Sequence, residues 1–187
     1  MRGPLLSGPL GSAACLSAIV RWAGAPTVQA PAVLSGPLWL GETLSQAFPV
    51  VMLVEDLDRP GVKRTRRRAG RAGRPFEVAL AGAEMPLRPR SVAVLIVENV
   101  AGLEADAAGA WLHALAPLLR PGGRLIAADA TASDTAMARV AAAFLSASLV
   151  ELVQEQPRDG VLLTVGRAPV ASIMTVRFSP RAAAPAP

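Results

Sequence analysis

The stretch that decides the fold runs from Trp111 to Asp129 and reads WLHALAPLLRPGGRLIAAD. Its first part predicts a helix, because the leucines recur at helical spacing and therefore share one face. Pro121-Gly122-Gly123 is expected to end that helix, since proline cannot continue it and glycine accepts the left-handed conformation of a cap. The apolar run 125–128 predicts a buried strand that stops at Asp129. A helix followed directly by a buried strand is half of a βαβ unit.

Apolar runs and helical periodicities alternate along the rest of the chain in the same way. Strands are expected over residues 27–34, 50–54, 76–81 and 91–97. Helices are expected over residues 12–22, 38–48, 106–119 and 136–146, with Asp106 as the N-cap of the third. The segments 149–155 and 161–167 predict two strands, and the turn residues between them require an antiparallel hairpin. This order predicts a three-layer, Rossmann-like α/β sandwich whose mostly parallel sheet ends in that hairpin.

The chain length of 187 residues favours one main domain. We assign residues 27–169 to it, residues 1–26 to an N-terminal extension with a short helix, and residues 170–187 to an edge strand and a low-complexity tail. No run is long and apolar enough for a membrane span. Glycines and prolines interrupt the apolar part of the N-terminus, which argues against a signal peptide. The sequence therefore predicts a cytoplasmic protein without contact to a membrane.

The single cysteine and single histidine exclude a disulfide framework and a Cys/His zinc cluster. We expect no metal site. Cys15 is interpreted as a small packed residue, and His113 as a residue on the surface of a helix.

Three segments resemble class I S-adenosylmethionine-dependent methyltransferases, in particular the type 11-like group. LLRPGGRLIAAD is similar to the helix–turn–strand that follows their fourth strand, VAVLIVENV to the fourth strand itself, and GAEMPL to the turn before it. The resemblance covers residues 76–169, and the closing antiparallel hairpin is typical of the same family. It implies S-adenosylmethionine as the cofactor, bound at the carboxyl ends of the strands.

The resemblance also implies the residues that would bind the cofactor. Glu55, at the end of the second strand, takes the position of the acid that accepts hydrogen bonds from both ribose hydroxyls. Gly36 and Gly41 are what remains of a glycine-rich loop that lets the backbone approach the cofactor closely. Glu84 substitutes for the acid that contacts the adenine. The segment 34–42, LSGPLWLGE, departs from the family because it keeps two glycines and inserts a tryptophan.

Glu98 and Asn99 end the fourth strand, beside the position of methyl transfer in the family. Glu98 is a candidate general base and Asn99 a candidate for orienting the acceptor. The alternative is that the pair caps the following loop. Asp129 is interpreted as a loop or N-cap residue.

A run of eight basic residues without an acidic one extends from Arg59 to Arg74. Subtracting these charges from the net charge of +5 leaves −3, so the rest of the chain is mildly acidic. Two interpretations of this run stay open. It is either a solvated crossover in an arginine-rich protein or a phosphate-binding surface for nucleic acid. The absence of interleaved aromatic residues argues against stacking on bases.

The sequence thus predicts an S-adenosylmethionine-dependent methyltransferase that acts on an unidentified acceptor, such as a small molecule. The alternative is a catalytically inactive methyltransferase-like domain that serves as a binding or scaffold module. The shortened glycine loop favours the alternative.

Overall fold

The computed structural model describes residues 9–81, 87–158 and 160–170. The strands in this part of the chain are β1 (Ala32–Ser35), β2 (Val50–Val54), β3 (Phe76–Leu80), β4 (Val92–Glu98), β5 (Leu119–Asp129), β6 (Val150–Arg158) and β7 (Val161–Arg167). The α-helices are α1 (Ala13–Ala23), α2 (Leu38–Leu44), α3 (Pro60–Arg71), α4 (Ala105–Leu115) and α5 (Asp134–Ser146).

The strands form one sheet in the order β3-β2-β1-β4-β5-β7-β6. The first five in this order pair in parallel, and β7 runs antiparallel to both of its neighbours. The strand order reverses between β1 and β4, where Ser35 pairs with Val97. This confirms the predicted fold class. It also creates a switch point, where the loops after the two strands diverge and leave a crevice for ligands.

Helices cover both faces of the sheet. On one face, Ile19 of α1 and Leu40 of α2 pack with Ile96 of β4. On the other face, Leu112 of α4 and Phe144 of α5 join a second apolar cluster, which contains alternate residues of the same strands. Strands that are buried on both faces are apolar at nearly every position, which is why β4 reads VAVLIV before its terminal glutamate.

The helix that precedes β5 ends earlier than the sequence predicted. Its α-helical part stops at Leu115, and residues 116–118 form a single 3-10 turn. Pro117 explains this end, because it has no N–H to donate and its ring clashes with the carbonyl of the preceding turn. The segment Pro121-Gly122-Gly123, expected to end the helix, instead lies inside β5, next to an irregularity in its pairing with β4. That part of the prediction was wrong.

The predicted cap of α4 was wrong as well. Glu104 occupies the N-cap position and makes no side-chain cap hydrogen bond, while Asp106 lies within the first turn. A carboxylate in a first turn still interacts favourably with the helix dipole.

Helix α1 covers the sheet at β5, β6 and β7, away from the carboxyl ends of β1, β2 and β3. The indole Nε1 of Trp22 donates to Oε2 of Glu155 at 2.8 Å, and Nη1 of Arg124 donates to the carbonyl of Trp22 at 2.6 Å. Cys15 is fully buried in the core between α1 and the sheet. None of the helices in the described ranges is long and apolar enough to cross a membrane. Most of the predicted C-terminal edge strand falls beyond residue 170.

Gly123 provides a test of this packing. A β-carbon there would lie 2.8 Å from the carbonyl oxygen of Arg120 and 3.1 Å from that of Ala93. Because these are backbone atoms, Gly123→Ala should lower the free energy of unfolding by about 1–3 kcal/mol in urea denaturation. Gly70→Ala, at a helical position with nothing within 4 Å, is the control and should be neutral or stabilising by up to about 1 kcal/mol. Equal stabilities of the two variants would contradict this account.

Candidate functional site

A cleft of about 820 Å³ opens at the carboxyl ends of β1, β2 and β3. The loop between β1 and α2, the end of β2, the start of α3 and one side chain of α4 enclose it. Its lining residues are Ser35, Gly36, Pro37, Leu38, Trp39, Leu53, Val54, Glu55, Asp56, Arg59, Gly61, Val62, Ala81 and Trp111. This cleft lies at the edge of the sheet where the sequence analysis expects a ligand.

Gly36 follows β1 directly and lines this cleft. A β-carbon at this position would lie 3.3 Å from Cγ of Glu98, tighter than ordinary van der Waals contact. The glycine therefore lets the loop after β1 lie against the end of β4. Gly36 and Glu98, which the sequence placed in separate motifs, are neighbours at the switch point.

Gly41 lies within α2 and is buried, and it is not among the lining residues of the cleft. A β-carbon there would lie 2.7 Å from Sδ of Met52 and 3.2 Å from both Leu34 and Phe76. This glycine lets α2 approach β1, β2 and β3 closely. In dinucleotide-binding loops one glycine serves the same close packing of helix on strand.

Glu55 follows β2 and is exposed in the cleft. The next residue, Asp56, accepts a hydrogen bond from the backbone N–H of Asp58 at 2.7 Å, which shapes the turn into α3. No group of the described residues donates a hydrogen bond to Glu55, which lines the cleft and is exposed. Glu84, the predicted adenine contact, lies outside the described residues.

Two tryptophans line the cleft, and the sequence did not assign a functional role to either. Trp39 begins α2, within the segment that departs from the family's glycine loop. Trp111 is half-buried on α4, beside the apolar stripe of that helix, and packs against the core on the opposite face of the sheet. The signal that could have found them is their rarity, since the chain has three tryptophans and no tyrosine.

A second polar group lies at the adjacent ends of β4 and β5. Asp129 is 1% exposed, and its Oδ1 accepts a hydrogen bond from the backbone N–H of Ala101 at 2.7 Å. Its Oδ2 is buried and has no hydrogen-bond partner among the described residues. Asp129 therefore anchors the 3-10 turn 100–102 that follows Glu98 and Asn99. The sequence interpreted Asp129 as a loop or cap residue and did not predict this contact.

Asn99 adopts a left-handed conformation with φ of 62°, which asparagine tolerates better than most residues. Its backbone N–H donates to the carbonyl of Ala128 at 3.2 Å, and its own carbonyl accepts from the N–H of Gly102 at 3.2 Å. The absence of a side chain at Gly102 leaves the space that the Asn99 amide occupies. The exposed amide of Asn99 thus lies against the turn at Gly102, although neither Glu98 nor Asn99 is among the lining residues of the cleft.

Burial raises the pKa of the Glu98 carboxyl, and the nearby carboxyl of Asp129 raises it further. Burial also raises the pKa of Asp129, although the hydrogen bond from the Ala101 N–H, the nearby backbone N–H of Val100 and the charge of Arg139 oppose that shift. A glutamate whose pKa is raised toward neutrality is better suited to proton transfer than an ordinary exposed one.

The other candidates of the sequence lie elsewhere. Burial raises the pKa of the Cys15 thiol to about 11, so the thiolate needed for nucleophilic attack is scarce at neutral pH. His113 is exposed on α4 and does not line the cleft. The described ranges contain no cluster of three or more histidine, cysteine or acidic side chains that could hold a metal ion.

No family model matches the sequence, and no curated protein matches it either. Solved structures do match. The apo form of the S-adenosylmethionine-dependent methyltransferase SibL has a TM-score of 0.60 at 15% identity, over 75% of this chain and 51% of that one. Geranyl diphosphate methyltransferase in complex with GPP and sinefungin has a TM-score of 0.60 at 13% identity, over 82% and 76%.

An O-methyltransferase family 2 protein from Planctomyces limnophilus, in complex with apigenin, has a TM-score of 0.62 at 15% identity. The alignment covers 87% of this chain and 59% of that one. The chain has the Rossmann-like methyltransferase fold. It spans about half the length of SibL, the first of these proteins.

The Asp129 contact has a consequence for stability against pH. Asp129→Asn keeps an oxygen acceptor for the Ala101 N–H and removes the ionisable group. Because the pKa of Asp129 is raised in the folded state, the wild-type protein loses stability as the pH rises above the unfolded pKa near 3.8. The variant should therefore gain stability relative to the wild type as the pH rises from about 4 to about 7.

Urea denaturation at a series of pH values measures this difference in the free energy of unfolding. A difference that stays constant over the range would contradict the assignment of a buried, destabilised carboxylate at this position.

Proposed function

We propose that the protein binds S-adenosylmethionine in the cleft at the ends of β1, β2 and β3 and transfers its methyl group to an acceptor near Glu98 and Asn99. The observation that carries the proposal is the cleft itself. It has a free carboxylate, Glu55, and two tryptophans, and it lies at the switch point of a methyltransferase sheet.

Glu55 suits the ribose of the cofactor. A carboxylate with two free oxygens can accept hydrogen bonds from two adjacent hydroxyls, and such charge-assisted bonds are worth about 1.5–3 kcal/mol. Gly36 lines the cleft and carries no side chain, which suits a close approach of the backbone to the ligand. Gly41 contributes indirectly, because it sets the distance between α2 and the sheet.

The shortened glycine loop offers fewer backbone contacts to a cofactor. Trp39 and Trp111 add aromatic surface to the cleft in their place. Indole rings offer faces against which an adenine can stack, and stacking of this kind tolerates changes in loop sequence. Glu84 stays the proposed contact of the adenine amino group.

The acceptor would lie beside the turn that Asp129 anchors. The cofactor, when bound, supplies an electrophilic methyl group. Glu98 would take the proton that the acceptor loses, and Asn99 would orient the acceptor through its exposed amide. Holding the two reactants at near-attack distance is the main contribution of such a site, so the rigidity of the 99–102 turn serves the chemistry.

A catalytically inactive, binding-only domain is the second candidate. The loop 34–42 keeps two glycines, and one of them packs the helix on the sheet and does not line the cleft. Calorimetry tests whether the cofactor still binds, because a domain that has lost its cofactor gives no heat of binding.

Glu55→Ala should weaken binding of S-adenosylhomocysteine about 10- to 100-fold in isothermal titration calorimetry, because two charge-assisted hydrogen bonds are lost. Glu77→Ala removes an exposed carboxylate of β3 that does not line the cleft, and it should bind like the wild type. An unchanged affinity in Glu55→Ala would remove Glu55 from the site. No binding to the folded wild-type protein at millimolar ligand would support the inactive domain.

The three tryptophans allow an independent test, since the chain has no tyrosine to contribute fluorescence. Titration with S-adenosylhomocysteine should change the intrinsic emission, because Trp39 and Trp111 line the cleft. Trp22→Phe removes the indole of α1 that donates a hydrogen bond to Glu155, and this variant should keep most of the change in emission. The double variant Trp39→Phe/Trp111→Phe should lose it. A response that persists in the double variant would place the ligand elsewhere.

A further inference from the structure

The basic run folds into α3, which packs its apolar side against α2 and β3 near the edge of the sheet. Val62, Thr65 and Ala69 are the buried residues of this helix. The opposite side lines a groove of about 640 Å³. The cations in that groove are Lys63, Arg64, Arg67, Arg68 and Arg71, which we call the basic face.

Most of this charge has no acidic partner. In the described part of the chain, Lys63 pairs with Asp58 at 2.8 Å and Arg68 with Glu42 at 2.5 Å. No ion pair with Arg64, Arg67 or Arg71 occurs among those residues. The three arginines without an ion pair give the groove a positive potential. Outside Arg59–Arg74 the chain carries a net charge of −3, so the excess positive charge of the protein is concentrated in this segment.

The spacing of the cations suits an extended polyanion. Residues 63 and 71 are eight positions apart, so the basic face is about 12 Å long. A stacked nucleic-acid strand advances about 3.4 Å per nucleotide, and the face therefore spans about three to four phosphates. Arginine side chains also match phosphate oxygens in bidentate geometry. Neither aromatic nor large apolar side chains accompany the cations in the groove.

The same composition argues against a membrane as the occupant. Helices that bind at a membrane surface insert large apolar side chains between the lipids. In α3 the apolar side is small and already packed inside the protein. The helix would reach a membrane through its charges alone.

We propose that the basic face of α3 binds the phosphate backbone of a nucleic-acid strand, without reading its bases. The first turn of the same helix, at Arg59, Gly61 and Val62, lines the candidate cofactor cleft. A strand bound in the groove therefore runs beside the mouth of that cleft. The binding does not depend on the cofactor, so this inference stands apart from the proposed function.

Fluorescence anisotropy with labelled, mixed-sequence single-stranded RNA, and with DNA of the same sequence, tests the proposal on the full chain without cofactor. The affinity should fall steeply between about 50 and 200 mM salt, with a log–log slope of about −2 to −3 for three to four neutralised phosphates. The variant Arg64→Gln/Arg67→Gln/Arg71→Gln should bind about 10- to 100-fold more weakly, and its slope should be smaller by about 2.

A matched control removes the same charge near the amino ends of two inner strands. Arg88→Gln/Arg90→Gln/Arg120→Gln alters exposed arginines near the amino ends of β4 and β5, and it should retain most of the affinity and the full slope. Thermal denaturation checks that both variants fold; glutamine and arginine have similar helix propensities.

Several results would overturn the proposal. One is that the wild type binds neither strand at low salt. Another is that the two triple variants lose affinity equally. A third is that the protein binds phosphatidylserine vesicles or polyglutamate as tightly as nucleic acid, or more tightly. The last result would show a surface for another class of polyanion or a non-specific charge effect.

Discussion

Burial of the sheet on both faces is the constraint on which the rest of this structure depends. Residues of β4 point alternately into the α1/α2 layer and the α4/α5 layer, so nearly every side chain of the strand is apolar. Polar chemistry can then occur only where strands end. β1 and β4 pair in parallel, with Ser35 opposite Val97. Gly36 follows Ser35 and Glu98 follows Val97, so these two residues lie side by side at the same edge of the sheet. The geometry of the sheet brings them together.

The same burial gives Asp129 its role. A carboxylate that is 1% exposed is costly to keep ionised unless donors satisfy it, and only one of its oxygens has a donor among the described residues. At the end of β5 that oxygen accepts a hydrogen bond from the N–H of Ala101 and thereby positions the turn that follows Asn99. Its charge, in turn, raises the pKa of Glu98. The buried Asp129 carboxylate thus affects both the backbone of this turn and the pKa of Glu98.

Most elements could be predicted from the sequence because their periodicity reflects burial. The strands at 50–54 and 161–167 and the antiparallel hairpin are confirmed, since both depend on local apolar runs and on turn residues. The helix end before β5 was wrong, because Pro117 outweighed a leucine pattern that continues to Leu119. The cleft-lining tryptophans and the Ala101–Asp129 contact could not be predicted, since they join segments that are distant in sequence. The contacts of Glu84 stay a prediction.

The two glycines after β1 meet different neighbours, and this difference shows what each of them contributes to the fold. A glycine loop serves two separate physical needs, close approach of backbone to ligand and close approach of helix to sheet. Here Gly36 lies against Glu98 at the end of β4, and Gly41 brings α2 onto Met52, Leu34 and Phe76. Between them Trp39 adds aromatic surface to the cleft wall. A side chain at Gly41 would push α2 away from the sheet, and one at Gly36 would press on Glu98, so the two glycines have separate packing roles.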